Sequence, residues 1–279
     1  MKKPVIVWFR QDLRLADNPA LHAAAASGAP VLPVFVHDDE AAGDWQPGAA
    51  SRWWLRKSLA RLDESLDNML RVFYDEARDI VPRLAAGTGA SAVYWNRCVE
   101  PWRVDRDRAI KKQLQDDGIE VHTFNGSYLF DPAEVRKQDG GAYRVFTPFY
   151  RKGCLERSPE PRTPLPAPRN LRLDTNVADA DRQFDLILPA YQWFEGGLRD
   201  WQPGESGAGR ALRRFIDRGL ADYPEGRDRP DLECVSFLSP HLHFGEVSPH
   251  QVRTAVLGAK GEVPNEAIDK FLSELGWRD

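Results

Sequence analysis

Short apolar runs alternate with amphipathic stretches along the first 124 residues. The clearest runs cover residues 5–9 and 31–36, which are bounded and rich in β-branched or aromatic side chains, as buried strands are. Weaker runs of the same kind cover residues 70–74, 92–95 and 120–124. Since strands that alternate with helices usually form a parallel sheet covered on both faces, the pattern predicts a Rossmann-like α/β domain.

Amphipathic stripes predict the helices between these runs. Asp17 or Asn18 is expected to cap the first helix, because a proline that follows them fits a first helical turn. Ser51 is expected to cap the second helix, and two more helices are predicted over residues 75–86 and 105–117. The apolar stripe of the second helix consists of Leu55, Leu59, Leu62, Leu66 and Met69.

The composition changes after residue 130. Pro, Gly and charged residues accumulate over residues 131–203, which predicts a long connector. Beyond it the pattern is helical, with an apolar stripe over residues 205–223 and a further helix that Ser248 opens. The predicted parts are an α/β domain (1–130), a connector (131–203) and the start of an all-α domain (204–279).

Composition and charge exclude several classes of protein. No stretch approaches 18 apolar residues, and the apolar run at the N-terminus is too short for a signal peptide. The three isolated cysteines suggest neither a disulfide framework nor a zinc site. These features predict a soluble protein of the reducing cytoplasm. A net charge of −4 argues weakly against a general binder of polyanions.

Motifs that carry chemistry are sparse. No G-x-G-x-x-G follows the first apolar run and no Walker motif occurs, so the usual nucleotide sites of such a sheet lack support. Ser236 and Ser239 flank a predicted helix start, where N–H groups and hydroxyls suit a phosphate, although helix-capping serines are the commoner explanation. His241 and His243 face different sides of a helix, so we expect core or hydrogen-bonding roles and no metal.

The last predicted helix, which starts at Asn265 or Glu266, carries the strongest candidate site. Glu274, Trp277 and Arg278 have the spacing of one turn, which places the three side chains on one helical face. A carboxylate, an aromatic ring and a guanidinium on one face can stack on a base and hydrogen-bond its edge.

Six segments of the chain resemble motifs of the photolyase/cryptochrome family. They occur in the family's order with compatible spacing, and they are distributed over essentially the whole chain. The class that the chain most resembles is the microbial class I photolyase, which repairs cyclobutane pyrimidine dimers. The six segments are residues 8–21, 93–96, 143–149, 201–205, 238–246 and 274–278.

This resemblance implies an α/β antenna domain followed by the start of an all-helical FAD-binding domain. In the family, light-excited reduced FAD donates an electron to a pyrimidine dimer that is flipped out of the DNA. Glu274 and Trp277 match the carboxylate and the stacking tryptophan that meet the dimer, and are the implied catalytic residues. The implied cofactor-binding residues are Tyr223, Ser236, Leu238, Ser239, Phe271 and Arg278.

The resemblance also implies an antenna chromophore between the sheet and the connector. The sequence does not choose between a folate and a deazaflavin for this role. DNA that contains pyrimidine dimers is the implied partner of the complete protein, and no membrane is involved.

The chain departs from the family pattern in three respects. Val235 and Phe237 stand where the family usually has a hydroxyl and a cation near the flavin phosphates. Phe271 keeps only the apolar surface of a position that is often Trp, and the sequence stops at Asp279. We therefore expect a truncated form whose activity by itself is open. The alternatives are a cryptochrome-like blue-light photoreceptor and a non-catalytic remnant of the antenna domain.

The predicted helices over residues 205–223 and 265–279 carry apolar stripes whose partners would lie in the downstream part. We expect these stripes to be exposed. The C-terminal third would then be poorly ordered, or would self-associate through the exposed helical faces.

Overall fold

The computed structural model of the chain describes residues 2–38, 40–175, 184, 195–198 and 200–279. The other residues of the predicted connector lie outside this part of the chain. The predicted connector, residues 131–203, therefore lies only partly within the described residues.

A five-stranded parallel sheet forms the first unit, as the sequence predicts. Its order is β3-β2-β1-β4-β5, and each neighbouring pair is parallel. All five predicted strands are present, with bounds that differ from the predictions by at most one residue. The strands are β1 (Val5–Phe9), β2 (Val31–His37), β3 (Arg71–Tyr74), β4 (Ala92–Asn96) and β5 (Glu120–Phe124).

Helices cover both faces of this sheet. Val5, Val7 and Phe9 point into a core beneath the first two helices, whereas Ile6 and Trp8 point into the core on the opposite face, beneath the next two. This alternation follows from the two-residue period of a strand. The helices are α1 (Pro19–Ala26), α2 (Ala49–Ser65), α3 (Ala77–Thr88) and α4 (Pro101–Asp116), and a 3₁₀ segment spans Glu40–Trp45.

One predicted helix cap is confirmed and another is wrong. The Asn18 side chain accepts a hydrogen bond from the backbone N–H of Leu21 (3.1 Å), so Asn18 is the N-cap of α1. Helix α2 begins at Ala49, two residues before Ser51, and Gly48 precedes it without a side-chain cap. Because the helix also ends at Ser65, Met69 lies beyond the stripe to which it was assigned.

The second unit is helical, as predicted. Short helix α5 (Phe146–Pro148) continues as a π-helix over Phe149–Arg157. Ser248 opens its helix with a capping box, because its side chain and that of Gln251 satisfy each other's backbone N–H groups. The other helices are α6 (Glu205–Arg218), α7 (Tyr223–Gly226), α8 (Ser239–His243), α9 (Pro249–Gly258) and α10 (Asn265–Gly276).

The expectation that the apolar stripes of α6 and α10 are exposed is wrong. Leu212 and Phe215 of α6 pack in one buried cluster with Ile268, Phe271 and Leu275 of α10. The chain itself supplies the partners for these faces, largely through α9 and the segment around residues 129–154. Self-association of the chain stays a prediction.

The two units meet at buried polar groups. Arg14, on the loop after β1, is 1% exposed, and its guanidinium donates to the carbonyl oxygens of Asp17, Gly126 (2.6 Å) and Gly245 (2.9 Å). Gly245 has a φ of +68°, and a Cβ at this position would lie 2.0 Å from the carbonyl oxygen of Gln11. Only glycine therefore allows the two backbones to approach this closely.

Glu246 is the second buried link between the units. Its carboxylate, 0% exposed, accepts hydrogen bonds from the Trp54 indole N–H (3.0 Å) and the Gly204 backbone N–H (2.7 Å). It also bonds with the Ser58 hydroxyl and the His241 imidazole. One buried carboxylate thereby joins α2 of the first unit to two segments of the second. Because its oxygens are so fully bonded, its burial is tolerated.

Replacing Glu246 with alanine is expected to destabilise the protein by about 3–5 kcal/mol, because several buried donors lose their acceptor together. Urea unfolding followed by far-ultraviolet circular dichroism measures the change. Glu64→Ala is the matched control on α2, since Glu64 is an exposed residue that pairs with Arg61. If Glu246→Ala lowered the free energy of unfolding no more than the control does, this account would be contradicted.

Stability is expected to fall as the pH falls from about 6.5 to about 4, in part because of His250. Burial and the neighbouring Arg162 lower the pKa of His250 to about 4, whereas an unfolded histidine has a pKa of about 6.5. Between these values the unfolded state binds the proton and the folded state does not, so acid favours unfolding. Below pH 4 both states are protonated and the effect stops growing.

The variant His250→Gln isolates this contribution. Its unfolding free energy should depend less steeply on pH between 6.5 and 4 than that of the unchanged protein. His122→Gln, at an exposed position beside Glu120, is the control and should preserve the steeper dependence. Parallel curves for the protein and His250→Gln would show that His250 does not contribute.

Candidate functional site

A cavity of about 510 Å³ lies between the helical unit and the loops of the α/β unit. Its helical wall consists largely of residues singled out from the sequence, and its other wall includes Gln11, Glu100 and Tyr128. Six of the eight predicted site residues line it: Tyr223, Ser236, Ser239, Phe271, Glu274 and Arg278.

Leu238 and Trp277 are the two predicted site residues outside the lining. Leu238 is 1% exposed, precedes α8 and packs in the core of the helical unit. Trp277 is 61% exposed and stacks on Phe146, away from the cavity. Of the three residues predicted on one helical face, Glu274 and Arg278 therefore line the cavity and Trp277 does not.

Helix α10 stays regular up to Trp277. The backbone N–H of Trp277 bonds the carbonyl of Ser273 (3.2 Å), four residues earlier, and Trp277 keeps helical dihedral angles (φ −65°, ψ −19°). Its ring therefore lies outside the cavity because it packs on Phe146, and not because the backbone changes direction.

Arg278 connects three segments around the cavity. Its guanidinium donates to the carbonyl oxygen of Leu242 (2.9 Å) and to that of Ser127, and it lies 5.7 Å from the centre of the Tyr128 ring. These bonds fix the guanidinium as part of the wall. Burial and the nearby Glu100 raise the pKa of Tyr128 to about 12, so its phenol is neutral at ordinary pH.

Glu274 is held as a carboxylate. It forms ion pairs with Arg227 of the loop after α7 and with Lys270 (3.2 Å), one turn earlier on α10. Partial burial alone would raise the pKa of Glu274, but hydrogen bonds from Arg227 and Lys270 outweigh it and hold the pKa below its usual value. An ionised carboxylate only accepts hydrogen bonds, so Glu274 can bind an N–H group of a ligand.

Aromatic rings form the apolar part of the wall. Phe271 lies between Phe215 and Tyr223, with ring centroids 4.6 Å and 5.2 Å away. Burial raises the pKa of Tyr223, which keeps its hydroxyl protonated and able to donate. Flat apolar surface beside a few polar groups is typical of a small-molecule site.

The two serines do not cap α8. The residue before this helix is Leu238, without a side-chain cap, and the Ser236 hydroxyl instead accepts a bond from the Leu238 N–H (3.3 Å). The interpretation of Ser236 and Ser239 as helix caps is therefore wrong. Phe237 between them has a φ of +54°, which is rare for a residue with a side chain, and its ring is 44% exposed.

Several lining residues were missed by sequence reasoning. Gln11, Glu100 and Tyr128 come from loops of the α/β unit, far from the helical motifs in sequence. One carboxylate oxygen of Glu100 is buried and has no hydrogen-bond partner among the described residues. Arg227 was missed as well, because nothing in its sequence position indicates the pairing with Glu274.

A second cavity, of about 550 Å³, lies at the carboxyl ends of β1 and β2. The sheet order reverses beside β1, since β2 and β4 lie on its two sides, and open α/β sheets bind ligands at such points. Trp45, 85% exposed, and Trp102 supply aromatic surface, and Arg106 lies 5.0 Å from the Trp102 ring. The two cavities share the lining residues Gln11, Glu100 and His243.

Neither a metal cluster nor a membrane span is evident in the described part of the chain. Its His, Cys, Asp and Glu side chains form no group of three or more that could hold a metal ion. None of its helices has the length and apolar character needed to cross a bilayer.

Comparison with known proteins links the chain to light-dependent flavoproteins. The family model described as DNA photolyase matches residues 5–170. A deoxyribodipyrimidine photo-lyase of Agrobacterium fabrum is 40% identical over 99% of this chain and 58% of its own length. Cryptochrome-1 of Arabidopsis thaliana is 35% identical over 98% of this chain and 42% of its own length.

A solved structure gives the same picture. The crystal structure of a bacterial class III photolyase from Agrobacterium tumefaciens has a TM-score of 0.91 and 40% identity, and the match covers 100% of this chain and 58% of that one. The chain therefore spans about half the length of these three relatives. The solved relative is a class III photolyase, whereas the sequence predicts a likeness to class I enzymes. That likeness stays a prediction.

Replacing Arg227 with glutamine is expected to raise the pKa of Glu274, because the carboxylate loses the positive charge that offsets the effect of burial. Lys270→Gln should raise it less, since the contribution of Arg227 is the larger. Carbon-detected NMR of ¹³C-labelled glutamate side chains measures the titration. Arg214→Gln, which removes an exposed pair with Glu233, is the control. An unchanged Glu274 pKa in Arg227→Gln would contradict the assignment.

Proposed function

This chain belongs to the DNA photolyase family, and from that premise we propose that it forms the antenna unit and part of the flavin site of a DNA-repair photolyase. The reaction is the light-driven splitting of cyclobutane pyrimidine dimers, which makes the enzyme a carbon–carbon lyase. The observation that carries the proposal is the cavity of about 510 Å³, which six residues predicted from the sequence line.

The lining of this cavity suits FAD. Ser236, Ser239 and Tyr223 offer hydroxyl groups to phosphate oxygens, and Phe271 offers flat apolar surface. The unpaired buried oxygen of Glu100 needs a donor, which a hydroxyl or N–H group of the cofactor would supply. When bound, FAD supplies the electron that light makes available for dimer splitting.

Glu274 and Trp277 have separate tasks in the proposed reaction. The Glu274 carboxylate, which Arg227 keeps ionised, accepts a hydrogen bond from an N–H group on a pyrimidine edge. Trp277 offers ring surface outside the cavity, where a flipped base can stack at a gain of roughly 1–3 kcal/mol. The damaged pair would thereby lie at the solvent-exposed edge of the flavin cavity, between Glu274 and Trp277.

The aromatic cavity of about 550 Å³ is our proposed site for the antenna chromophore. Its position at the reversal of strand order and its two tryptophans favour a flat ring system. The three lining residues that it shares with the flavin cavity would keep the two chromophores close. A cavity of about 590 Å³ beside the connector has no tryptophan among its lining residues, so it suits such a ring system less well. The choice between folate and deazaflavin is left to its absorption spectrum.

Two other functions remain as alternatives. The 35% identity to a plant cryptochrome favours a blue-light photoreceptor as the second candidate. A sensor would bind FAD without preferring damaged DNA. An antenna-only protein would show a near-ultraviolet absorption band and no flavin bands.

Light-dependent repair by the purified protein tests the proposal. The photolyase of which this chain forms part, loaded with FAD, reduced and illuminated, should bind an oligonucleotide with a single pyrimidine dimer more tightly than its undamaged copy, and should split the dimer. Glu274→Ala should weaken damage-specific binding about tenfold, the effect of one lost charge-assisted hydrogen bond. Glu266→Ala changes an exposed carboxylate on the same helix and should have no effect. Flavin binding without preference for the lesion would overturn the repair function and favour the sensor.

A further inference from the structure

Three stacked rings form a ladder on the surface beside the flavin cavity. The rings of Trp277 and Phe146 are 3.7 Å apart between centroids and only 9° from parallel. Phe146 in turn stacks on Tyr150 at 5.4 Å and 10°. The term ring ladder below means Tyr150, Phe146 and Trp277, in that order from base to surface.

The base of the ring ladder is fixed to α10. A Cβ added at Gly276 would lie 2.4 Å from Cε2 of Tyr150, so the Tyr150 ring packs directly on the backbone of that glycine. Trp277 directly follows Gly276, the last residue of α10. Both ends of the ring ladder are therefore attached to the same helical turn, and Phe146 fills the space between them.

The outer end of the ring ladder is open. Trp277 remains 61% exposed although Phe146 covers one face of its indole. An exposed tryptophan without a stacking partner would exchange between rotamers, and holding it still on binding would cost conformational entropy. The stack on Phe146 removes part of that cost before a ligand arrives.

The segment that presents Phe146 is basic. Residues 136–157 contain six Lys or Arg and two Asp or Glu, in a chain whose net charge is −4. Arg144, Arg151 and Lys152 are exposed on this segment. A ring platform within a positively charged segment suits a nucleobase whose backbone carries phosphates.

We propose that Phe146 is a positioning residue for the damaged base. It holds the Trp277 indole so that the uncovered face meets the base, without touching the base itself. The inference rests on the proposed function of Trp277 and adds a residue that acts through it. The basic segment around Phe146 then contacts the phosphates of the same strand.

A double-mutant cycle tests whether Phe146 acts through Trp277. Phe146→Ala should weaken binding of the dimer-containing oligonucleotide about threefold to tenfold, in line with the coupling of aromatic pairs. In the Trp277→Ala background the same change should have no further effect. Phe146→Tyr should restore binding, and Leu155→Ala, at an exposed position of the same segment, should leave it unchanged. If Phe146→Ala weakened DNA binding equally with and without the Trp277 ring, or in neither case, the proposal would be overturned.

A second measurement does not depend on DNA binding. The emission of Trp277 is the difference between the spectra of the protein and of Trp277→Phe. Phe146→Ala should increase quenching of this emission by acrylamide, because the second face of the indole becomes accessible. Unchanged quenching overturns the positioning role even if lesions are bound. Increased quenching in a protein that does not distinguish damaged DNA supports the stacking role and assigns the failure to the proposed function.

Discussion

The buried carboxylate of Glu246 is the interaction on which the arrangement of the two units depends. It joins Trp54 of α2 to Gly204 and His241 of the helical unit, at a point that water does not reach. Arg14 of the α/β unit is a second buried charged group at this junction, and its guanidinium donates to backbone carbonyls. Such groups are costly to bury alone, so they hold the units in the one arrangement that satisfies them.

The candidate site is a consequence of that arrangement. The cavity of about 510 Å³ is bounded by α8 and α10 on one side and by loops of the α/β unit on the other. The close approach of Gly245 to Gln11, which Arg14 supports, brings the end of β1 to the cavity wall. The second cavity lies on the far side of the same loops. The junction between the units therefore supplies walls to both cavities.

The end of α10 divides the tasks of three neighbouring residues. Glu274 lies within the regular helix and faces Arg227, Arg278 turns into the wall between the units, and Trp277 turns outward to Phe146. Helical spacing places the three residues near one another, and their tertiary partners direct the side chains to different surroundings.

The sequence alone determined the elements and much of one cavity wall, because those depend on local pattern. The strands follow from short β-branched runs, the cap at Asn18 and the capping box at Ser248 follow from neighbouring residues, and family resemblance identified Tyr223, Ser239 and Glu274. Only the tertiary structure decided the opposite wall, the pairing of Arg227 with Glu274 and the partner of Trp277. It also decided that α6 and α10 bury their apolar faces within the chain. These outcomes depend on contacts between residues distant in sequence, which packing and the pairing of buried charges select and local periodicity does not encode.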